Sequence, residues 1–225
     1  MSQLHKIESA PDLVEQVYAQ LLGAISVGEL APGIRVTQEE IAEKLSVSRQ
    51  PVLQALRLLK KDGFIIDAPG RGVRVAPLDG VWLTHVYPIR IALDVLAAHL
   101  ACASSYVFDS NIINQGRKAA RGKSIGAMIE ADIEFHSAIY RASNNPLIEQ
   151  SAQLHWKHIR RAMGMLLQTT EVRLAVWDEH EAISRAIAAK DGRQAEALTR
   201  SHGGRAFQML QHKLGQVIQG ANSAI

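Results

Sequence analysis

The stretch TQEEIAEKLSVSRQPVLQALRLLKKDGF, residues 37–64, carries the reading of the fold. Thr37 followed three residues later by Glu40 is a capping box, in which each side chain satisfies a free amide at a helix start. A short helix with Ile41 and Leu45 inward is expected to follow, then the turn Ser46-Val47-Ser48. Ser48 is placed to cap the next helix, and Pro51 is tolerated there because first-turn amides have no helical partner. That helix runs to about Lys61, where Gly63 stops it, with Val52, Ala55, Leu56 and Leu59 inward. Arg49, Gln50, Leu53, Gln54 and Arg57 then lie on the opposite, outward face.

Upstream, Leu13, Val17, Leu21 and Ile25 recur every four residues, one apolar stripe of a helix ending near Gly28, and Pro32-Gly33 marks a turn. Downstream, FIID, the turn Ala68-Pro69-Gly70-Arg71 and GVRVA read as strand, turn, strand, with Val73 and Val75 on one face and Arg74 on the other. Three helices and a basic hairpin make a winged helix-turn-helix, whose last helix enters the major groove of DNA. Arginine there pairs with guanine and glutamine with adenine. A generic three-helix module with a solvated polar face satisfies the same pattern.

Charge placement favours DNA. The 225 residues hold 25 Lys+Arg and 22 Asp+Glu, a net +3 too small to argue from. Residues 1–43, however, carry two basic against seven acidic groups, and residues 44–77 carry seven basic against two acidic. A compact basic segment is the footprint expected for phosphate binding. The single cysteine, Cys102, excludes a disulfide scaffold and a Cys-rich zinc module. The opening MSQLHKIESAPD lacks the apolar run of a secretory signal, and Asp94 and His99 interrupt the apolar stretch IALDVLAAHLACA. A soluble, cytoplasmic protein is expected.

Across residues 11–77, GELAPGIRVTQEEIAEKLSVSRQPVLQALRLLKKDGFI and the later GRGVRV resemble the N-terminal domain of GntR-family bacterial transcription regulators. The resemblance implies that Ser48 and Arg49 open the recognition helix and that Arg71 and Gly72 lie on the wing near the minor groove. Two positions depart from the family. Leu53-Gln54 stands where Arg-Glu is usual, and Glu39 occupies a position that is basic in some members. An atypical operator is therefore expected, with Leu53 suited to a thymine methyl.

After Pro77 the strand pattern disappears. Helices are expected at about 82–104, 109–121, 124–143, 146–168, 171–190 and 192–218, with start and stop signals at Asp109, Ser124, Asn145-Pro146, Thr170 and Asp191-Gly192. Leu93, Leu96 and Leu100, and separately Ile183 and Ile187, mark expected core faces of an antiparallel bundle. The fold class is thus mainly α: a winged helix over residues 1–77 and an all-α bundle of about six helices over residues 78–225.

Four polar residues fall on apolar faces of that bundle. Asp132 and His136 share one helical face amid Ile133, Phe135 and Ile139. His180 lies with Trp177, Ile183 and Ile187, and His202 with Leu198 and Ala206. Buried carboxylates and imidazoles need partners. A divalent metal satisfies all four together; individually hydrogen-bonded core histidines and an i,i+4 Asp–His pair satisfy them separately. His155 and His158, one turn apart, read as surface or rim residues.

EADIEFHSAIYRASNNPLI and WDEHEAISRAIAAKDGRQAEALTRSH resemble the FCD ligand-binding domain of the FadR branch of the same family, over about residues 82–215. The D-x-x-x-H motif, a histidine 44 residues on and another 22 after it match the metal-binding subset, which implies Asp132, His136, His180 and His202 as ligands. Zinc is the first expectation, with nickel or manganese leaving open positions more readily. In that family the metal helps hold a small carboxylate metabolite. Arg90 matches a family arginine near the effector, suited to clamp a carboxylate, or else it pairs with Asp94 four residues on. Arg160 and Arg161 are further anion candidates. The Gly203-Gly204 pair after His202 is a departure, expected to loosen or bend its helix.

These readings imply a homodimeric, metabolite-responsive regulator of operator DNA, a repressor by default, and not an enzyme. Two alternatives stay open: a metal-dependent hydrolase, and a DNA-binding regulator with a purely structural metal. Against the hydrolase, no separate general base is visible; Glu134 and Glu179, next to ligands in sequence, point elsewhere on their helices.

Overall fold

The computed structural model describes residues 13–70, 72–104, 109, 111–167 and 170–222, so Arg71 lies outside the described residues. The chain divides into two compact units between Pro77 and Leu78.

In the first unit, α1 (Leu13–Val27), α2 (Gln38–Leu45) and α3 (Arg49–Lys61) bury Val17, Leu21, Ile25, Ile41, Val52, Ala55, Leu56 and Leu59 in one core with Phe64, Ile65 and Val75. Leu13, at the helix start, is half exposed. The Thr37 box forms in full: the Glu40 amide donates to the Thr37 hydroxyl, and the Thr37 amide donates to the Glu40 carboxylate at 2.8 Å. Ser48 occupies the cap position of α3 but makes no capping bond. Such a cap takes the amide of the second or third helical residue; the third here is Pro51, which has none, and the Gln50 amide is not used.

The sheet has one strand more than the sequence pattern suggested. β1 (Arg35–Val36), β2 (Ile65–Asp67) and β3 (Val73–Val75) pair antiparallel in the order β1-β3-β2, with Arg74 opposite both Arg35 and Ile66. A two-residue strand is too short to show alternation. Gly72 turns the chain into β3 with φ near +95°, and a Cβ there would lie 2.8 Å from the Val36 carbonyl oxygen, so only glycine fits.

The second unit is helical: α4 (Gly80–Ala103), α5 (Asn111–Arg121), α6 (Ile125–Ala142), α7 (Pro146–Leu166), α8 (Thr170–Ala188) and α9 (Gly192–Asn222). Ser124 and Asn145 cap α6 and α7, accepting from the Ala127 and Leu147 amides, and Asp109 accepts from the Asn111 amide. α4 packs along α9 and also meets α6, α7 and α8.

By length and hydropathy α4 is sufficient to cross a membrane, but half of its apolar window is buried inside the protein and its inner face holds Arg90 and Asp94. That face is not the expected one. Leu96 is 46% exposed and Leu93 and Leu100 are only partly buried, whereas Arg90, Asp94, Ala97, Ala98, Ala101 and Cys102 point inward. In a helix apolar on most sides, periodicity does not single out a face.

Small residues let α9 approach α4. A Cβ on Gly203 would lie 2.6 Å from Ile91 Cγ1, while one on Gly204 meets nothing within 4 Å. α9 nevertheless runs unbroken through the pair, so the expected interruption is absent and Gly203 serves close packing. Gly204→Ala is expected to raise stability by about 1 kcal/mol and Gly203→Ala to lower it. Thermal melts of both variants check this, and equal shifts would refute the packing role.

Candidate functional site

The second unit brings the four polar residues together. α6 supplies Asp132 and His136, α8 supplies His180 and α9 supplies His202, all buried. His180 Nε2 lies 3.3 Å from His202 Nε2 and 3.5 Å from an Asp132 carboxylate oxygen, and His136 Nε2 lies 3.7 Å from the other. Among the described residues, His136, His180 and His202 form a group able to hold a metal ion, with nitrogens within 4.8 Å of one another.

Tautomers sharpen this convergence. His202 Nδ1 faces the Glu179 carboxylate at 2.7 Å, which places a proton on Nδ1 and turns Nε2 inward. His136 Nε2 accepts from Arg90 Nη2 at 3.0 Å, which places its proton on Nδ1, 3.6 Å from Asp94. Metal-bound histidines are held by this kind of outer carboxylate. His180 is clamped by stacking on Phe135, ring centres 3.9 Å apart, and by the edge of Trp177 at 4.7 Å, and its Nδ1 has no hydrogen-bond partner.

Burial pushes His136 and His180 well below the ordinary histidine range, and the neighbouring Arg90 charge adds to the effect. Both are therefore neutral, the form that ligates metals. Burial raises Asp132 and Asp94, and Arg90 opposes it in both. Glu179 is held low: burial works against its charge, but hydrogen bonds from His202 and Arg205 outweigh it. Three imidazoles and a carboxylate present their nitrogen and oxygen atoms to one buried point, and a divalent cation fits this donor set.

Arg90 forms the i,i+4 pair with Asp94 and also reaches the histidine cluster. Its Nε lies 3.4 Å from Asp94, and its Nη2 donates to His136 Nε2 at 3.0 Å and lies 3.9 Å from Asp132. The Tyr140 hydroxyl donates to the opposite oxygen of Asp94. Asp94 and Asp132 hold the guanidinium charged despite burial. Arg160 instead pairs with Glu130, and Arg161 is buried. Neither lines the cavity that reaches Arg90, Asp132 and His202. His155 and His158 are half-buried against Trp82.

Glu179 corrects the sequence reading. A residue adjacent to His180 cannot point at the same spot, but it faces α9, where it holds the outer nitrogen of His202; Glu134 does point away and pairs with Arg141. Only the packing of α8 on α9 reveals this. Glu179→Gln is expected to weaken metal binding by about 10–100-fold. Competition against a chromogenic chelator measures it; an unchanged Kd would leave Glu179 serving Arg205 alone.

In the first unit, Arg49, Gln50 and Arg57 are exposed along α3, and Ser48 and Gly72 are exposed beside them. Leu53 and Gln54 are half-buried, not fully outward as expected. Leu53 lines a groove of about 410 Å³ with Gln38, Glu39, Arg57, Lys60 and Gly72. Glu39 pairs with Arg49 at 3.3 Å, and the Gln38 side chain donates to the Arg49 carbonyl. The groove thus lies between α2, α3 and the wing.

Residues 13–75 match the sequence pattern described as bacterial regulatory proteins, gntR family, and residues 85–205 match the FCD domain. The chain is 29% identical over 202 residues to the HTH-type transcriptional regulator LutR of Bacillus subtilis, covering 79% of this chain and 92% of that protein. It is 26% identical over 145 residues to the uncharacterized HTH-type transcriptional regulator YdhC of the same organism, spanning 62% of this chain and 65% of that protein. Its fold is similar to the solved structure of Escherichia coli McbR/YncC, with a TM-score of 0.76 at 22% identity, over 92% of this chain and all of that one. These relatives are regulators and not enzymes, which removes the hydrolase alternative. The chain belongs to the gntR family of bacterial transcriptional regulators, with a GntR helix-turn-helix domain followed by an FCD effector domain.

Proposed function

We propose that this regulator is a cytoplasmic, homodimeric repressor whose operator affinity is set by a small carboxylate bound beside a metal in residues 78–225. The convergence of His136, His180, His202 and Asp132 next to a buried arginine carries the reading. Asp132, His136, His180 and His202 would hold the ion, with zinc first and nickel or manganese as alternatives. The ion supplies a fixed positive charge for a carboxylate, and Arg90 is the second anchor. Glu179 orients His202, Arg90 holds His136, and Tyr140 steadies Asp94 beside Arg90.

Ser48, Arg49, Gln50, Leu53, Gln54, Arg57, Arg71 and Gly72 are assigned to DNA, with two copies of α3 on half-sites of a near-palindromic operator. The effector must bind the free and operator-bound states with different affinity. Purified protein analysed for metal and for carboxylates released on denaturation, followed by operator titration with and without them, tests the reading. An operator affinity indifferent to both metal and carboxylate would refute it and leave a structural metal.

Leu53, on the groove between helix and wing, is the proposed reader of a thymine methyl. Leu53→Ala is expected to relax preference at one operator position, at a cost of about 1 kcal/mol. A base-scan binding assay with an unchanged preference would remove that role.

A further inference from the structure

The cavity that reaches the histidine cluster is chemically lopsided. It is narrow, with a volume of about 40 Å³. Its polar side chains are Arg90, Asp132, His202 and Tyr87, from α4, α6 and α9. The remaining wall is apolar, built by Met163, Leu166 and Leu167 at the end of α7, Val176 of α8 and Met209 of α9.

Tyr87 was not singled out from the sequence. It lies one turn before Arg90 on α4, with its ring centre 5.8 Å from the guanidinium carbon and stacked on Phe207 at 5.1 Å. It is 1% exposed, and its hydroxyl makes no well-formed hydrogen bond. A buried hydroxyl in that condition is costly unless something completes it. It borders the same cavity as Arg90, so a ligand oxygen brought there meets both donors.

The apolar wall sets the other end of the ligand. A second carboxylate or a run of hydroxyls placed against methionine, leucine and valine would be desolvated without partners, and a small aliphatic or aryl group would not. We propose that the effector is a monocarboxylate with a short apolar tail, its carboxylate received by Arg90 and the Tyr87 hydroxyl and its tail against Met163, Leu166, Leu167, Val176 and Met209. This assignment rests on the reading that the site takes a small carboxylate, and it excludes dicarboxylic and polyhydroxy acids as preferred ligands.

Calorimetric titration of the full-length, zinc-loaded protein with butyrate, hexanoate and benzoate against lactate, malate and citrate tests it. Hexanoate or benzoate is expected to bind at least about 10-fold more tightly than malate or citrate. Tyr87→Phe, which keeps the ring and its stacking, is expected to weaken the preferred acid by about 3–10-fold. Val176→Thr is expected to weaken the apolar-tailed acids while leaving lactate unchanged. Tighter binding of malate or citrate would overturn the apolar-tail assignment and leave the carboxylate reading standing. No binding by any of the six acids, with zinc bound, would overturn both. An unchanged affinity in Tyr87→Phe would overturn the role given to its hydroxyl.

Discussion

His180→Ala is expected to reduce metal content from stoichiometric to less than roughly a tenth of an ion per chain, because a four-ligand site that loses its most buried imidazole no longer closes around a cation. His180 is the candidate ligand with no solvent exposure, and its Nε2 is close to both His202 and Asp132. The alanine also leaves a gap beside Phe135, which stacks on the imidazole. His180→Gln fills most of that volume and separates loss of a ligand from loss of packing. Elemental analysis after exhaustive dialysis reads the outcome, and sequence-independent DNA binding by the full chain reports that the first unit is intact. Stoichiometric metal in both variants sinks the ligand assignment. Loss of metal in both, with DNA binding kept, supports it.

Gly116→Ala is the second large effect, and nothing about the residue type announces it. Gly116 lies on the buried face of α5, and a Cβ there would sit 1.9 Å from Cη2 of Trp177 and 2.1 Å from two further ring atoms. No backbone adjustment of a few tenths of an ångström relieves that overlap, so the indole must move. Overpacking of this severity is expected to cost about 3 kcal/mol, at the upper end of the usual range. For a unit of this size that lowers Tm by roughly 6–12 °C.

The effect reaches the site, because Trp177 meets both Phe135 and the His180 ring edge-on. Displacing the indole removes the wall that orients the imidazole. Gly116→Ala is therefore expected to weaken metal binding as well as stability, although the residue touches no ligand. A melt and a chelator competition on the same sample check the coupling. A Tm within about 1 °C of the parent would show that α5 can slide away and would refute the tight contact.

Much of the first unit was legible from residues 37–64. The Thr37 box, the inward stripe of α3 and the glycines of the wing are local features, and local hydrogen bonding and periodicity decide them. The failures there were local too: Ser48 makes no capping bond, with Pro51 removing one of the two amides in its reach, and β1 is too short to show alternation. In the bundle, helix extents followed from start and stop signals, and the spacing of Asp132, His136, His180 and His202 named four polar residues that need a common partner.

Tertiary packing decided the rest. Which side of α4 faces inward, the use of Gly203 and Gly116, the hold of Glu179 on His202, and the placing of the Tyr87 hydroxyl at an apolar cavity all depend on which helix lies against which. Sequence periodicity registers the angle of a side chain about its own helix axis. It carries no information on the rotation of one helix against its neighbour, and that rotation selects the contacts.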